Sequence, residues 1–246
     1  MNLAIDIGNS TIKIAVIDPQ SGAILCDRKT CKFERMVIEE MVREYQVESI
    51  IWLSTGFISE ADKKFLDDKG AIHFLPGVTP IPIKNCYQDQ TKLGADRLAL
   101  AIGVWEKFPY QDSLILDFGT ALTIDFLNSK GEFMGGHISP GLQIRLDSLN
   151  ERTSALPLYE AKESVMEMEK RIDIPSNTQE AMMLGVYRSM LYEIEGHLNR
   201  QKYSNLIFSG NDAKYFVDKF KITIFAKCST LLFQGLNVVL ESAKLR

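Results

Sequence analysis

Two stretches of this chain set the same reactive residues at the same spacing. IDIGNSTIKIAVID lies near the start and LILDFGTALTIDFLN near the middle. Each is an apolar run, an aspartate, one residue, a glycine, small residues and a second apolar run. The first copy holds Asp6 and Gly8 followed by Asn9, Ser10 and Thr11; the second holds Asp117 and Gly119 followed by Thr120, Ala121, Leu122 and Thr123. An aspartate at the end of a buried strand is costly unless it is solvated, hydrogen-bonded or near a cation. Gly8 lets the backbone turn tightly and approach a ligand. The amides of Asn9, Ser10 and Thr11 can then face phosphate oxygens. The same residues also suit an ordinary hairpin turn. One copy leaves both readings open. Two copies make a pair of turns suited to clamping a polyphosphate and its metal, because aspartate is the hard-oxygen ligand Mg²⁺ takes, often through water.

A third stretch, LGADR, carries Asp96 and Arg97. Taken alone it is the first turn of a helix, where Asp is favoured by the macrodipole, with Arg97 as a surface partner. His137, in GGHISPG, fits a packing or capping role, and His73 and His197 have no ligand-spaced neighbours in the sequence. No G-x-x-x-x-G-K-[ST] and no protein-kinase motif set occurs.

The elements that must position these residues follow from periodicity. NLAIDIG and TIKIAVID alternate as strands, DPQSG is a turn, and AILCDRK returns as a third strand. ERMVIEEMVREY has helical spacing, SIIWLSTG is a buried strand, SEADKKFLDDKG is a helix capped by Ser59 and stopped by Gly70, and AIHFL is a short strand. LGADRLALAIGVWEKF is the helix that LGADR opens. The second half repeats the plan: three strands in SLILDFG, TALTIDFLN and EFMGGHI, then a helix with Ser139 as N-cap and Pro140 at its first position. The MEMEK run around Met166 reads as a helix face. NTQEAMMLGVYRSMLYEIEGHLNR reads as a long helix capped by Asn177 or Thr178, NLIFSG as a strand, NDAKYFVDKF as a helix, ITIFA as a strand and STLLFQGLNVVLESAKL as a closing helix. Both halves thus run strand, strand, strand, helix, strand, helix. This is mixed α/β architecture, an antiparallel meander followed by helical crossovers. The repeat implies two similar lobes with a cleft between them.

The 246 residues suit one large domain or two small ones, with 46% hydrophobic and 24% charged residues. The net charge of −4 leaves no electrostatic footprint for nucleic acid or an anionic membrane. No apolar run reaches the ~20 residues of a membrane span. The first residues enter a strand with no basic flank, so no signal peptide is expected. Cys26, Cys31, Cys86 and Cys228 form no CxxC pair and are expected as free thiols in a reducing cytoplasm.

Six pieces in order, DIGNS, NCYQDQTKLGADR, DFGTALTID, GGHISPGL, NTQEAMMLG and FSGNDA, resemble the type III pantothenate kinases over nearly the whole chain. That family makes the first phosphorylated intermediate of coenzyme A synthesis. It belongs to the superfamily of sugar kinases, actin and heat-shock chaperones, with duplicated ribonuclease-H-like, actin-like lobes. The resemblance implies lobes at 1–112 and 113–246 and an ATP-dependent kinase acting on the terminal hydroxyl of pantothenate. It implies that ATP contacts Asp6, Ile7, Gly8, Asn9, Ser10, Thr11, Ile12, Lys13 and Thr120, and that Asp6 serves Mg²⁺, directly or through water. Asp117 matches the ligand of a monovalent cation, K⁺ or NH₄⁺. Asp96 matches the proton acceptor, and Tyr87, Gly94, Ala95, Asp96, Arg97 and Thr178 match acceptor contacts, Arg97 holding an anionic group. It also implies a cytoplasmic homodimer whose acceptor pocket forms near the interface. Ala181, Met182, Leu184, Val186, Met190, Leu191 and Ile194 spread over more than one face of the long helix, an excess that suggests a partner. Two positions depart from the family pattern: Gln90 stands where a proline is usual, and Asn211 where a second glycine is usual. The alternatives are a sugar or small-alcohol kinase of the same fold and a non-catalytic regulator that kept the fold; an actin-like filament or chaperone would need insertions for which this chain is too short.

Overall fold

The computed structural model describes residues 1–161, 164–200, 202–226 and 230–244. The chain packs into two compact units. One comprises Met1–Gln111, Asp125–Gly135 and Ser229–Arg246; the other comprises Asp112–Ile124 and Gly136–Cys228.

The first unit opens with β1 (Asn2–Ile7), β2 (Ile12–Ile17) and β3 (Ile24–Thr30), paired antiparallel in sequence. All six residues of β1 are buried, as a central strand covered on both faces requires. The turn from β2 to β3 is set by Asp18, whose Oδ1 accepts the Ser21 amide at 2.7 Å. Next come α1 (Arg35–Glu44), β4 (Ser49–Ser54), α2 (Glu60–Asp68) and β5 (Ile72–His73). The Ser59 hydroxyl caps α2 by accepting the Asp62 amide at 3.1 Å, and Gly70 ends it at φ +66°. β4 pairs parallel with β1, and β5 with β4, so the sheet order is β3-β2-β1-β4-β5. A short strand β6 (Lys84–Asn85), which sequence periodicity did not announce, precedes α3 (Ala95–Lys107).

The second sheet holds β7 (Ser113–Phe118), β8 (Ala121–Leu127) and β9 (Glu132–Pro140). Then follow α4 (Leu142–Arg152), α5 (Ser164–Arg171), α6 (Thr178–Leu198), β10 (Asn205–Ser209), β11 (Ile224–Ala226) and α7 (Thr230–Lys244). Its order is β11-β10-β7-β8-β9-β6, with β10 parallel to both β7 and β11. Without β6, the order is third, second, first, fourth, fifth, as in the first sheet. The duplication read from two motifs is therefore a duplication of topology, in an α/β fold.

Two elements differ from the sequence reading. β9 runs on through Ser139 and Pro140, and α4 starts after Gly141. Gly141 donates to the Thr120 carbonyl at 3.1 Å, which holds this segment extended. NDAKYFVDKF is not an α-helix but two 3-10 turns, Asp212–Tyr215 and Val217–Lys219. Phe216 between them is fully buried and stacks between Phe118 and Tyr187, with ring centroids at 5.1 and 5.0 Å. Seating that ring interrupts the helical repeat.

The helix that opens with Asp96 is held within the first unit. α3 buries Leu98, Ala99, Leu100, Ala101, Ile102 and Val104, and it packs against β4 and α7. Fully burying each large aliphatic side chain is worth roughly 1.5–3 kcal/mol. α3 and α7 cross at glycines: a Cβ on Gly235 would lie 1.9 Å from the Ala99 carbonyl oxygen, and one on Gly103 would lie 1.9 Å from that of Leu231. Asn2 ties β1 to α7, donating to Asn237 Oδ1 at 2.8 Å and Glu241 Oε1 at 2.7 Å. Among the described residues, no helix is long and apolar enough to cross a membrane.

Candidate active site

Asp6 lies next to the end of β1, nearly buried at 5% exposure, and pairs in register with Lys13 across the hairpin. The Lys13 ammonium lies 3.6 Å from Asp6 Oδ2. The turn between them closes through Gly8, whose amide donates to the Thr11 carbonyl at 3.1 Å. Ile7 and Ile12 point into the core, while Asn9 and Ser10 are exposed. A second loop braces this turn. Ile7 O accepts the amides of Thr55 and Gly56 at 2.9 and 3.0 Å. A Cβ on Gly56 would stand 2.3 Å from Gly8 O, backbone against backbone, so only glycine fits there.

The turn of the second unit is built the same way. Asp117 lies next to the end of β7, and Gly119 donates to Ala121 O at 3.0 Å. Two glycines press on this turn. A Cβ on Gly141 would lie 2.4 Å from Gly119 O; one on Gly210, at φ +90°, would lie 2.3 Å from Phe118 O. Gly56 follows β4 and Gly210 follows β10, each the strand that pairs parallel with the first strand of its meander. The duplication therefore extends to the bracing loops, which LSTG and IFSG would have disclosed. Asn211 sits at φ −70° and ψ −34°, an ordinary right-handed conformation, so this loop needs no second glycine there.

In the first unit, Asp96 occupies the first turn of α3. Its Oδ1 accepts the Arg97 amide at 2.8 Å. Burial pushes its carboxyl above the ordinary carboxylate range, against the opposing pull of that amide and of the Arg97 and Lys13 charges. Gly94 is needed beneath it, since a Cβ there would meet Asp96 Oδ1 at 2.7 Å. Ala95 is buried beside them. Arg97 is not the surface partner its position suggests. It is 6% exposed, and its Nε lies 3.1 Å from both carboxylate oxygens of Asp125, with Nη2 closing the fork on Oδ1. Tyr87 covers the guanidinium from 5.8 Å and Phe133 from 5.9 Å. Gln90, at the proline position, donates to Asn85 O at 2.8 Å, while Asn85 Oδ1 accepts the Tyr87 amide at 3.0 Å. A side-chain hydrogen bond thus ties the loop where the family pattern uses a rigid ring.

Thr178 begins α6 in the second unit. Asn177 supplies the cap, accepting the Glu180 amide at 3.0 Å. Thr178 is exposed and lines a cavity of about 900 Å³ with Arg145, Leu149, Met182 and Ser189. His137 and His197 lie with rings 4.4 Å apart, and His73 stacks on Trp52 at 3.6 Å. Among the described residues no three metal-binding side chains cluster. Cys26, Cys31 and Cys86 are free thiols; Cys228 lies outside the described residues.

Asp6, Lys13, Tyr87, Gly94, Asp96 and Arg97 thus belong to one unit, and Asp117, Thr120 and Thr178 to the other. The sequence reading missed Gly56 and Asp125. Counted from the leading aspartate of each repeat, Asp125 takes the place of Ile14, a fully buried residue. A carboxylate replacing a core isoleucine in a repeat was the available signal.

Sequence and structure comparisons identify the family and the fold. The sequence model of type III pantothenate kinases matches residues 2–200. A type III pantothenate kinase of Bacteroides fragilis is 33% identical over 248 residues, covering 98% of each chain. Two solved structures share the fold: a Campylobacter jejuni protein assigned to the Baf family of transcriptional activators, and an activator of 2-hydroxyisocaproyl-CoA dehydratase from Clostridium difficile with bound ADPNP. The first has a TM-score of 0.63 at 21% identity, covering 99% of this chain and 100% of that one. The second has a TM-score of 0.59 at 11% identity, covering 99% and 96%. With its duplicated sheets, its two Asp-x-Gly turns and this match along its length, the chain belongs to the type III pantothenate kinases, enzymes that use ATP to phosphorylate pantothenate in coenzyme A biosynthesis.

Proposed function

We propose that the phosphorylation runs through Asp96 as general base, on an acceptor held by Tyr87, the Gly94–Arg97 turn and Thr178. The observation that carries this reading is the setting of Asp96. It is a partly buried carboxylate whose proton affinity is raised by burial, on a rigid helix, with Arg97 and Lys13 acting on it. A base matched to its task needs such tuning. Asp96 orients the acceptor hydroxyl and takes its proton late, in a loose transition state. The Asp6–Lys13 pair and the amides of Asn9, Ser10 and Thr11 meet the phosphates, with Thr120 as a further nucleotide contact. The donor set fits Mg²⁺ that arrives with the nucleotide. Asp6 offers one hard carboxylate oxygen, and Mg²⁺ bound through phosphates and water needs few protein ligands. When bound, the ion neutralises charge on the β and γ oxygens. Asp117 is assigned to K⁺ or NH₄⁺, as a carboxylate at a turn that also carries the Gly119 and Thr120 carbonyls.

A homodimer completes the reading. Six of the seven apolar residues of α6 that suggested a partner do not themselves support it: Met182, Leu184, Val186, Met190, Leu191 and Ile194 are buried within the chain, and Ala181 alone of the seven is exposed. Its support comes instead from Ile138, Ile144 and Tyr192, which are exposed. They lie on β9, α4 and α6, which Arg145 stitches together through Pro140 O, Ser189 Oγ and Glu193. The three free thiols fit a reducing cytoplasm.

The test is ADP release with pantothenate, with a panel of sugars and with no acceptor, in K⁺ and in a bulky organic cation. Turnover is expected with pantothenate alone and only in K⁺ or NH₄⁺. Turnover with a sugar would reassign the acceptor. Full activity without K⁺ or NH₄⁺ would free Asp117 for another role.

A further inference from the structure

Among the described residues, the fork formed by Arg97 and Asp125 is the least exposed ion pair of the first unit, with side chains 5% and 2% exposed. A guanidinium and a carboxylate removed from water in this way hold only if each answers the other with good geometry. Here Asp125 takes the Nε–Nη2 edge of Arg97 with both oxygens. Two consequences follow from that edge. The guanidinium plane is fixed, since Tyr87 and Phe133 also flank it. One hydrogen on Nη1 and the outer hydrogen of Nη2 then point in one direction. Its charge is also cancelled one residue from Asp96. We propose that Asp125 is a positioning residue for phosphoryl transfer: it aims Arg97 at the acceptor and neutralises the Arg97 charge beside Asp96.

This rests on the reading of Asp96 as base and of Arg97 as an acceptor contact. The charged groups acting on Asp96 are Arg97 from its own helix and Lys13 from β2, and both favour its ionised form. Asp125, from β8, acts on it through Arg97. Removing the Asp125 charge leaves the Arg97 charge uncompensated, so Asp96 ionises more readily and becomes a weaker base. It also leaves the fork free to swing. Misplacing a contact by about 1 Å costs on the order of 100-fold.

The experiment compares the wild type with Asp125→Asn and Asp125→Glu, each checked for folding by circular dichroism. In Asp125→Asn the KM for pantothenate is expected to rise on the order of 10- to 100-fold. The KM for ATP should hold, and the acid limb of kcat/KM should move to lower pH. Asp125→Glu keeps the charge and displaces the fork, so its limb stays and its pantothenate KM rises less. Asp125→Asn with the wild-type KM and limb overturns the proposal, as does a variant in which only the active fraction falls. If Asp125→Asn does not fold, Asp125→Glu decides, and an unchanged pantothenate KM there overturns it. Asp96→Asn in the same series keeps the two readings apart. Turnover retained in that variant defeats the base assignment, while the pantothenate KM of the Asp125 variants still tests the aiming of Arg97.

Discussion

As the proposed base, Asp96 would serve two opposed requirements at once. Burial holds its carboxyl above the ordinary range, so at neutral pH the ionised form that accepts a proton is the form the fold disfavours. The stability this group gives is full below its unfolded value and is lost as pH rises through the folded one. Asp96→Asn should therefore lower turnover by ~10²–10⁴, retain pantothenate binding, and raise Tm by on the order of a few degrees. Turnover near wild type would remove Asp96 from the mechanism. Gly94→Ala separates position from chemistry. The added methyl meets Asp96 Oδ1 at 2.7 Å, with Arg97 carbons next at 3.5 and 3.7 Å, and φ of −59° suits alanine. The variant should fold with an unchanged Tm and lose on the order of 10- to 100-fold in kcat; an unchanged kcat would mean the carboxylate tolerates displacement. Asp96 was legible because its helix opens in sequence. Asp125 was not, because nothing local says that a carboxylate on β8 answers an arginine on α3.

At the scale of elements, the helix that carries Asp96 is fixed by its crossing with α7. There the two backbones touch at Gly103 and Gly235, and a methyl on either would lie 1.9 Å from a carbonyl oxygen. Neither oxygen can yield without moving a helix. Gly235→Ala should therefore cost about 1–3 kcal/mol or more and lower kcat as α3 shifts. A Tm equal to wild type would show that the helices can part without strain. Alternating strands such as β1 and the Ser59 and Asn177 caps were readable because each is a local preference. The start of α4 was not, because a distant contact to Thr120 outweighs the serine–proline signal at residues 139–140. The two 3-10 turns likewise answer to where Phe216 must sit, which no local pattern states.

At the scale of the molecule, the two sheets share one strand order, and the sequence disclosed this through its paired turns. The candidate groups divide between the compact units, Asp96 in one and Thr178 in the other. For the proposed dimer, Asp96→Asn and Thr178→Arg variants, each inactive alone, should regain activity when mixed and allowed to exchange subunits. No recovery despite demonstrated exchange would place every contact within one chain. The return of α7 to the first unit also bears on biosynthesis. On the ribosome, α3 emerges without the helix that covers it. The span 112–228 must be translated first, a delay on the order of ten seconds. During that interval Ala99 and Gly103 have no crossing partner. A nascent chain stalled before residue 230 would therefore display α3, the helix of the proposed base, as a target for chaperones and proteases, and its packed form would arrive only with translation of α7.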